Sequence, residues 1–185
     1  MVASNGGTPT PRRVTLRFGV FFDGTGNNQH NATALAGHGG SYANALSNVA
    51  LLHALYPAQA ADGEARQVFF KCYMEGIGTL AGETDPVYAS ATGRGRTGVE
   101  ARVAEALQVI AGQLQGWCQA HPQWVPARLE FDLFGFSRGA AAVRHLANLL
   151  HDGAGGLLPV ACDIAINFMG LFDTVAAIIA PLQGD

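Results

Sequence analysis

Four short runs rich in β-branched and aromatic residues alternate along this chain with stretches of helical periodicity, and that alternation narrows the possible folds more than any other feature. The runs are VTLRFGVFF at 14–22, QVFFKCY at 67–73, RLEFDLF at 128–134 and VACDIAINFMGLFD at 160–173. Between the first two, Tyr42, Leu46, Val49, Leu52 and Tyr56 recur at helical spacing behind Ser41, the expected N-cap. Val99, Val103, Leu107, Ile110, Leu114 and Trp117 form a second stripe, closed by Pro122 and Pro126. RGAAAVRHLANLLH at 138–151 is the third helix. The order predicts an α/β fold, a mostly parallel sheet with helices on both faces. Sites in such sheets gather beyond the carboxyl ends of the strands. A polar cluster falls at each expected end: DGTGNN, then EGIGT, then GFSRG, then FDTV.

Gly135, Ser137 and Gly139 make the pattern G-x-S-x-G between an alternating strand and an Ala-rich helix. That context predicts a nucleophile elbow, a sharp strand-to-helix turn that lifts the serine hydroxyl above the sheet. The simpler reading is a serine that caps the helix with its side chain. A serine nucleophile needs a base and an orienting acid, in the chain order Ser, Asp or Glu, His for an α/β-hydrolase-like sheet. Asp173, at the end of the fourth strand, is the leading acid, ahead of Asp163 and Asp152. His145 follows Ser137 by eight residues, roughly 12 Å of helical rise and too far for a hydrogen bond. His151 lies farther on, and His30 and His38 sit in the loop after the first strand. The base is therefore expected outside this chain. Residues 1–12 read as a flexible tail, and 13–185 as the N-terminal part of a catalytic domain whose sheet is incomplete at its C-terminus, completed by a C-terminal remainder of the same protein or by the other chain of a split one.

An oxyanion hole needs two backbone N–H groups aimed at the developing charge. Arg138, directly after the serine, is expected to give one, and Gly24 or Thr25 in FFDGTGNN the other, with Asp23 bracing that loop. A plain Asx-capped turn is the alternative for Asp23. FFDGTGNN also suggests a phosphatase with its nucleophilic aspartate two residues before Asp23, but Phe21 occupies that position. GRGRTG at 93–98 lacks the strand and the Gly-Lys-Ser/Thr ending of a phosphate loop, although Arg94 and Arg96 suit an anionic head group.

Charged residues are only 14% of the chain and the net charge is −3, with no basic stripe, which argues against nucleic acid as a partner. Cys72, Cys118 and Cys162 are scattered and expected to be free thiols. No metal or cofactor is expected. MVASNGGTPTPRR has no apolar segment of the Sec signal type. Val160–Ala180 is long enough to span a bilayer, but Asp163, Asn167 and Asp173 interrupt it, so a strand and a site loop are expected there.

Taken together, FFDGTGNN, YMEGIGT, FGFSRGAAAVRHLANLL and GLFDTV resemble the Tle1-like family of bacterial type VI secretion lipase effectors, over roughly residues 14–177. The resemblance implies a phospholipase with a Ser-Asp-His triad that hydrolyses acyl esters of membrane glycerophospholipids. By position, Ser137 is the nucleophile and Asp173 the acid, and the family's histidine lies downstream of Asp185. It also implies a phospholipid membrane surface as substrate, an immunity protein and a secretion-apparatus protein as partners, synthesis in the bacterial cytoplasm, and delivery to the target-cell periplasm. The competing expectation is a non-catalytic α/β-hydrolase-like interaction module. A Ser-Asp dyad lipase of the patatin kind is a third, without the Gly-rich loop expected just upstream of its serine.

Overall fold

All the strand pairings in the sheet are parallel. A computed structural model describes residues 11–34, 40–43, 45–58, 66–82, 98–152 and 158–175. Its strands are β1 (Arg12–Phe22), β2 (Gln67–Met74), β3 (Trp124–Phe136) and β4 (Asp163–Phe172), in the spatial order β2-β1-β3-β4. The helices are α1 (Gln29–Ala32), α2 (Asn48–Leu55), α3 (Val99–Ala120) and α4 (Arg138–His151). The chain steps from β1 out to β2, then crosses β1 to reach β3 and β4 beyond it. Right-handed crossovers on such a path put α2 on one face and α3 with α4 on the other. The switch of direction leaves a crevice at the carboxyl ends of β1 and β3.

The pleat sorts the side chains. Leu16, Phe18, Val20 and Phe22 of β1 and Leu129, Phe131 and Leu133 of β3 face α3 and α4, and none is more than 1% exposed. The stripe from Val99 to Trp117 covers them, with Val103, Ile110 and Leu114 fully buried. On the α2 face the same strands carry Arg17, Gly19, Glu130 and Asp132. Asp132 accepts from Arg17 Nε and Nη2 at 2.7 and 2.9 Å and from the Tyr56 hydroxyl at 2.6 Å. Gly19 admits the Tyr56 ring, which a Cβ would approach to 2.6 Å.

Several boundaries differ from expectation. Arg12, assigned to the tail, opens β1: its N–H donates to Gln123 O at 3.0 Å and its guanidinium lies over Trp124. Residues 1–10 lie outside the described residues, as do His38, Arg94 and Arg96. β3 starts at Trp124, so Pro126 sits inside a strand; the register slips between Val14 and Thr15, where a proline has no N–H to offer. The helix expected from Tyr42 begins only at Asn48, capped by Ser47, whose Oγ accepts from Ala50 N–H at 3.0 Å. Ser41 is instead buried in a 3₁₀ turn, where its Oγ accepts from Asn31 Nδ2 at 2.9 Å. Cys162 lies just before β4, and all three cysteines are free thiols. No helix among the described residues is long and apolar enough to cross a membrane.

Candidate active site

Ser137 has φ 56° and ψ −123°, a region that a residue with a Cβ enters only when its surroundings force it. Strand β3 ends at Phe136 and α4 starts at Arg138, so one residue must reverse the chain. Two glycines make the reversal possible. A Cβ on Gly135 would lie 2.6 Å from Gly139 O, and one on Gly139 would lie 2.4 Å from Phe22 O and 2.5 Å from Asp23 O. The motif glycines are thus places where backbone meets backbone. Ser137 occupies the N-cap position of α4, yet its side chain makes no capping hydrogen bond. Its backbone holds it instead: its N–H donates to Phe172 O at 2.9 Å, and its carbonyl accepts from Ala140 N–H at 3.1 Å and Val175 N–H at 3.2 Å.

Those bonds tie the exit of β4 to the elbow. Phe136 pairs in register with Phe172, and Ser137 and Asp173 are the next residue on each strand. Asp173 also has a positive φ, 47°, and its side chain is exposed. Asp163 begins β4 and Asp152 caps the end of α4, both away from this end of the sheet.

Asp23, at the end of β1, is 2% exposed. A buried carboxylate needs donors, and it has them. Oδ1 accepts from Gly24 N–H at 2.7 Å and, at 3.5 Å, from Asn27 Nδ2. Oδ2 accepts from the Ser47 and Tyr73 hydroxyls, each at 2.6 Å. Tyr73 in turn accepts from Gln29 N–H at 3.0 Å. Burial, and then the Asp23 charge, push the Tyr73 phenol well above its ordinary pKa, so it remains a donor. Gly24 was expected to aim its N–H at an oxyanion; that N–H is committed to Asp23, because the carboxylate folds back on the residue that follows it. A Cβ on Gly24 would meet the Phe136 ring at 2.2 Å, so this glycine serves close packing. Thr25 is tied to the elbow by its side chain, which accepts from Arg138 Nε at 2.7 Å. Its N–H has no protein acceptor among the described residues. Arg138 is 7% exposed, and burial lowers its guanidinium pKa. It is the first residue of α4, at the positive end of that helix's dipole.

The loop after β2 locks onto the loop after β1. Gly76 N–H donates to Asn27 O at 2.8 Å, and Gly26 N–H to Ile77 O at 3.1 Å. A Cβ on Gly76 would lie 2.0 Å from Gly24 O. Asn28 caps α1 and donates to Thr79 Oγ1 at 3.3 Å. Arg102, 4% exposed in the first turn of α3, donates to Thr79 O at 2.6 Å and pairs with Glu75 at 3.1 Å. EGIGT is therefore a support for DGTGNN. Beside the elbow a cleft of about 580 Å³ opens between α2 and the rings of Phe136 and Phe172.

The structure thus gathers Asp23, Gly24, Thr25, Ser137, Arg138 and Asp173 at one end of the sheet. No histidine among the described residues is hydrogen-bonded to Ser137, and none of their His, Cys, Asp and Glu side chains form a group of three suited to a metal. Sequence reasoning passed over Ser47, Tyr73, Arg102 and Phe136. A hydroxyl in a helix stripe, a tyrosine in an apolar strand and an arginine in an apolar helix were the available signals.

Residues 17–163 match the family described as T6SS, phospholipase effector Tle1-like, catalytic domain. Among solved structures, the Tle1 effector bound to the VgrG spike of the type 6 secretion system superposes with a TM-score of 0.61 and 29% identity, over 90% of this chain and 39% of that one. An uncharacterized protein from Pseudomonas aeruginosa gives a TM-score of 0.49 and 22% identity, over 92% of this chain and 31% of that one. The chain thus spans about two fifths of the Tle1 effector and less of the second protein. No curated protein matches the sequence.

Proposed function

This chain belongs to the Tle1-like catalytic-domain family of type VI secretion phospholipase effectors, and from that premise we propose that it carries the nucleophile of a serine ester hydrolase acting on membrane glycerophospholipids. The observation that carries the reading is Ser137: its backbone is strained, and its hydroxyl is withheld from the capping bond that its position invites. Strain of this kind costs roughly 1–3 kcal/mol and persists where the surroundings over-determine it.

In the proposed reaction Ser137 Oγ attacks the acyl carbonyl and passes its proton to a histidine outside the described residues, which Asp173 orients. The tetrahedral oxyanion lies against the N–H groups of Arg138 and Thr25, at the positive end of the α4 dipole. The alcohol leaves with the proton from the histidine, and water then cleaves the acyl-enzyme by the same steps reversed. Asp23 holds the Thr25 loop in place through Ser47 and Tyr73. The partners proposed are a phospholipid membrane, a VgrG-type spike protein for delivery, and an immunity protein. The route proposed runs from the producing cytoplasm to the target-cell periplasm.

The test uses the full-length protein and a fluorogenic phospholipid. Ser137→Ala is expected to lower kcat by about three orders of magnitude or more. A fluorophosphonate probe should label the wild type and not the variant. Turnover that survives the substitution overturns the reading, and a wild type that neither turns over nor labels is the interaction module instead.

A further inference from the structure

The turn after β1 presents four consecutive amides, and three of them are committed within the protein. Gly24 N–H donates to Asp23 Oδ1 at 2.7 Å, Gly26 N–H to Ile77 O at 3.1 Å and Asn27 N–H to Gly24 O at 3.0 Å. Of the four, Thr25 N–H alone has no protein acceptor among the described residues. Thr25 stands between Gly24 and Gly26, and glycines restrain the direction of a neighbouring peptide least. The bonds of Gly24 and Gly26 hold the ends of the turn. Something else must fix its middle.

That restraint comes from far along the chain. Thr25 Oγ1 accepts from Arg138 Nε at 2.7 Å, across 113 residues. Arg138 is 7% exposed and Thr25 is partly buried, so water competes little for the bond. A hydrogen bond from a charged donor in such a place is short and directional. Arg138 also follows Ser137 directly and opens α4. Its main chain therefore lies at the elbow while its side chain reaches the turn after β1.

We propose that the Arg138 side chain is a positioning residue: its guanidinium holds Thr25 by Oγ1, and so keeps the main-chain N–H groups of Thr25 and Arg138 at a fixed separation around the oxyanion. The proposal rests on the hydrolase reading and its choice of those two N–H groups. A donor in such a hole must lie about 2.7–3.1 Å from the place where the anion forms. The negative charge exists only after Ser137 has attacked, so the pair should act on the chemical step and leave ground-state binding alone. Lysine is a poor substitute, because its ammonium ends a flexible stem whereas Nε belongs to a rigid planar group.

The test uses the full-length protein, a nitrophenyl ester and a trifluoromethyl ketone. The ketone carbon takes the Ser137 oxygen, the hydroxyl proton passes to the base, and the ketone oxygen becomes an anion in the hole. Thr25→Val keeps the shape and the N–H but removes Oγ1. Its kcat should fall about tenfold to a hundredfold, up to the loss expected for removing a donor outright. KM should change by less than about twofold, and inhibition by the ketone should weaken by the same factor as kcat/KM. Thr25→Ser restores the oxygen and should recover kcat to within about threefold of wild type. Arg138→Lys should resemble Thr25→Val, and the double variant should be no worse than the weaker single one, because the same bond is lost in each. Thr25 is only partly buried, so Thr25→Val decides the matter should Arg138→Lys not fold. If Thr25→Val keeps the wild-type kcat while Ser137→Ala is inactive, the positioning role falls and the hydrolase stands. If kcat falls only in proportion to the folded fraction, or Thr25→Ser is no better than Thr25→Val, the bond is merely structural and the proposal falls. Losses that multiply in the double variant overturn it too. A wild type that neither turns over nor labels with a fluorophosphonate removes the hydrolase reading, and this proposal with it.

Discussion

The two faces of the sheet are built on different physics. Toward α3 and α4, β1 and β3 present only apolar side chains, closed off from water and packed against Val103, Ile110 and Leu146. Toward α2 they present Arg17, Glu130 and Asp132 beside the stacked rings of Phe21 and Phe134, and α2 combines the buried Val49 and Ala50 with hydrogen bonds at both its ends. Burial is non-directional and tolerates no wetting. Hydrogen bonds are directional and leave apolar surface uncommitted. The first face is closed by apolar burial alone, and the second combines buried rings with a polar network and leaves Leu51 and Leu55 exposed.

Four measurements would break or sharpen that contrast. Phe131→Ala, on the dry face, should cost about 3–5 kcal/mol in urea unfolding. Asp23→Ala leaves the Ser47 and Tyr73 hydroxyls and the Gly24 N–H without their acceptor; about 1–3 kcal/mol is expected, with a fall in kcat larger than the fall in stability. Lys71→Ala removes only the donor at the end of α2 and should cost about 1 kcal/mol; a loss equal to that of Phe131→Ala would erase the distinction between the faces. Leu55→Ala should change stability by no more than about 0.5 kcal/mol. The thiols report the depth of burial on the dry face without mutation. Burial on the dry face pushes Cys72 up to about 12, so at pH 8 its thiolate is scarce, and alkylation should reach it after Cys118 and Cys162, which are only partly buried. Mass spectrometry of the alkylated native protein gives the order.

Much of this arrangement was legible in the sequence. The β1, β2 and α3 patterns are strongly periodic, and the elbow needs only Gly135, Ser137 and Gly139 in a strand-to-helix context. The parts that were not legible depend on partners far away in the chain. Ser41 precedes the apolar stripe and Ser47 lies within it, and what selects Ser47 as cap is a carboxylate 24 residues earlier, which its hydroxyl also reaches. Pro126 reads as a stop signal, but a slip of register opposite Val14 lets it stay within β3. Gly24 reads as an oxyanion donor until the Asp23 carboxylate is seen to take its N–H. Arg102 interrupts an apolar stripe, and its reason is Thr79 O across a loop.

The Ser47 hydroxyl does two things with one oxygen: it accepts the Ala50 N–H and donates to Asp23, which also takes the Gly24 N–H. The start of α2 and the loop beside the elbow therefore share an opening event. In native-state hydrogen exchange, the amides of Gly24 and Ala50 should have similar protection and lose it together in Ser47→Ala, moving as one cooperative unit. A displacement of α2 would then be felt at the loop that carries Thr25, so the placement of the helix and of the loop is set by one local equilibrium.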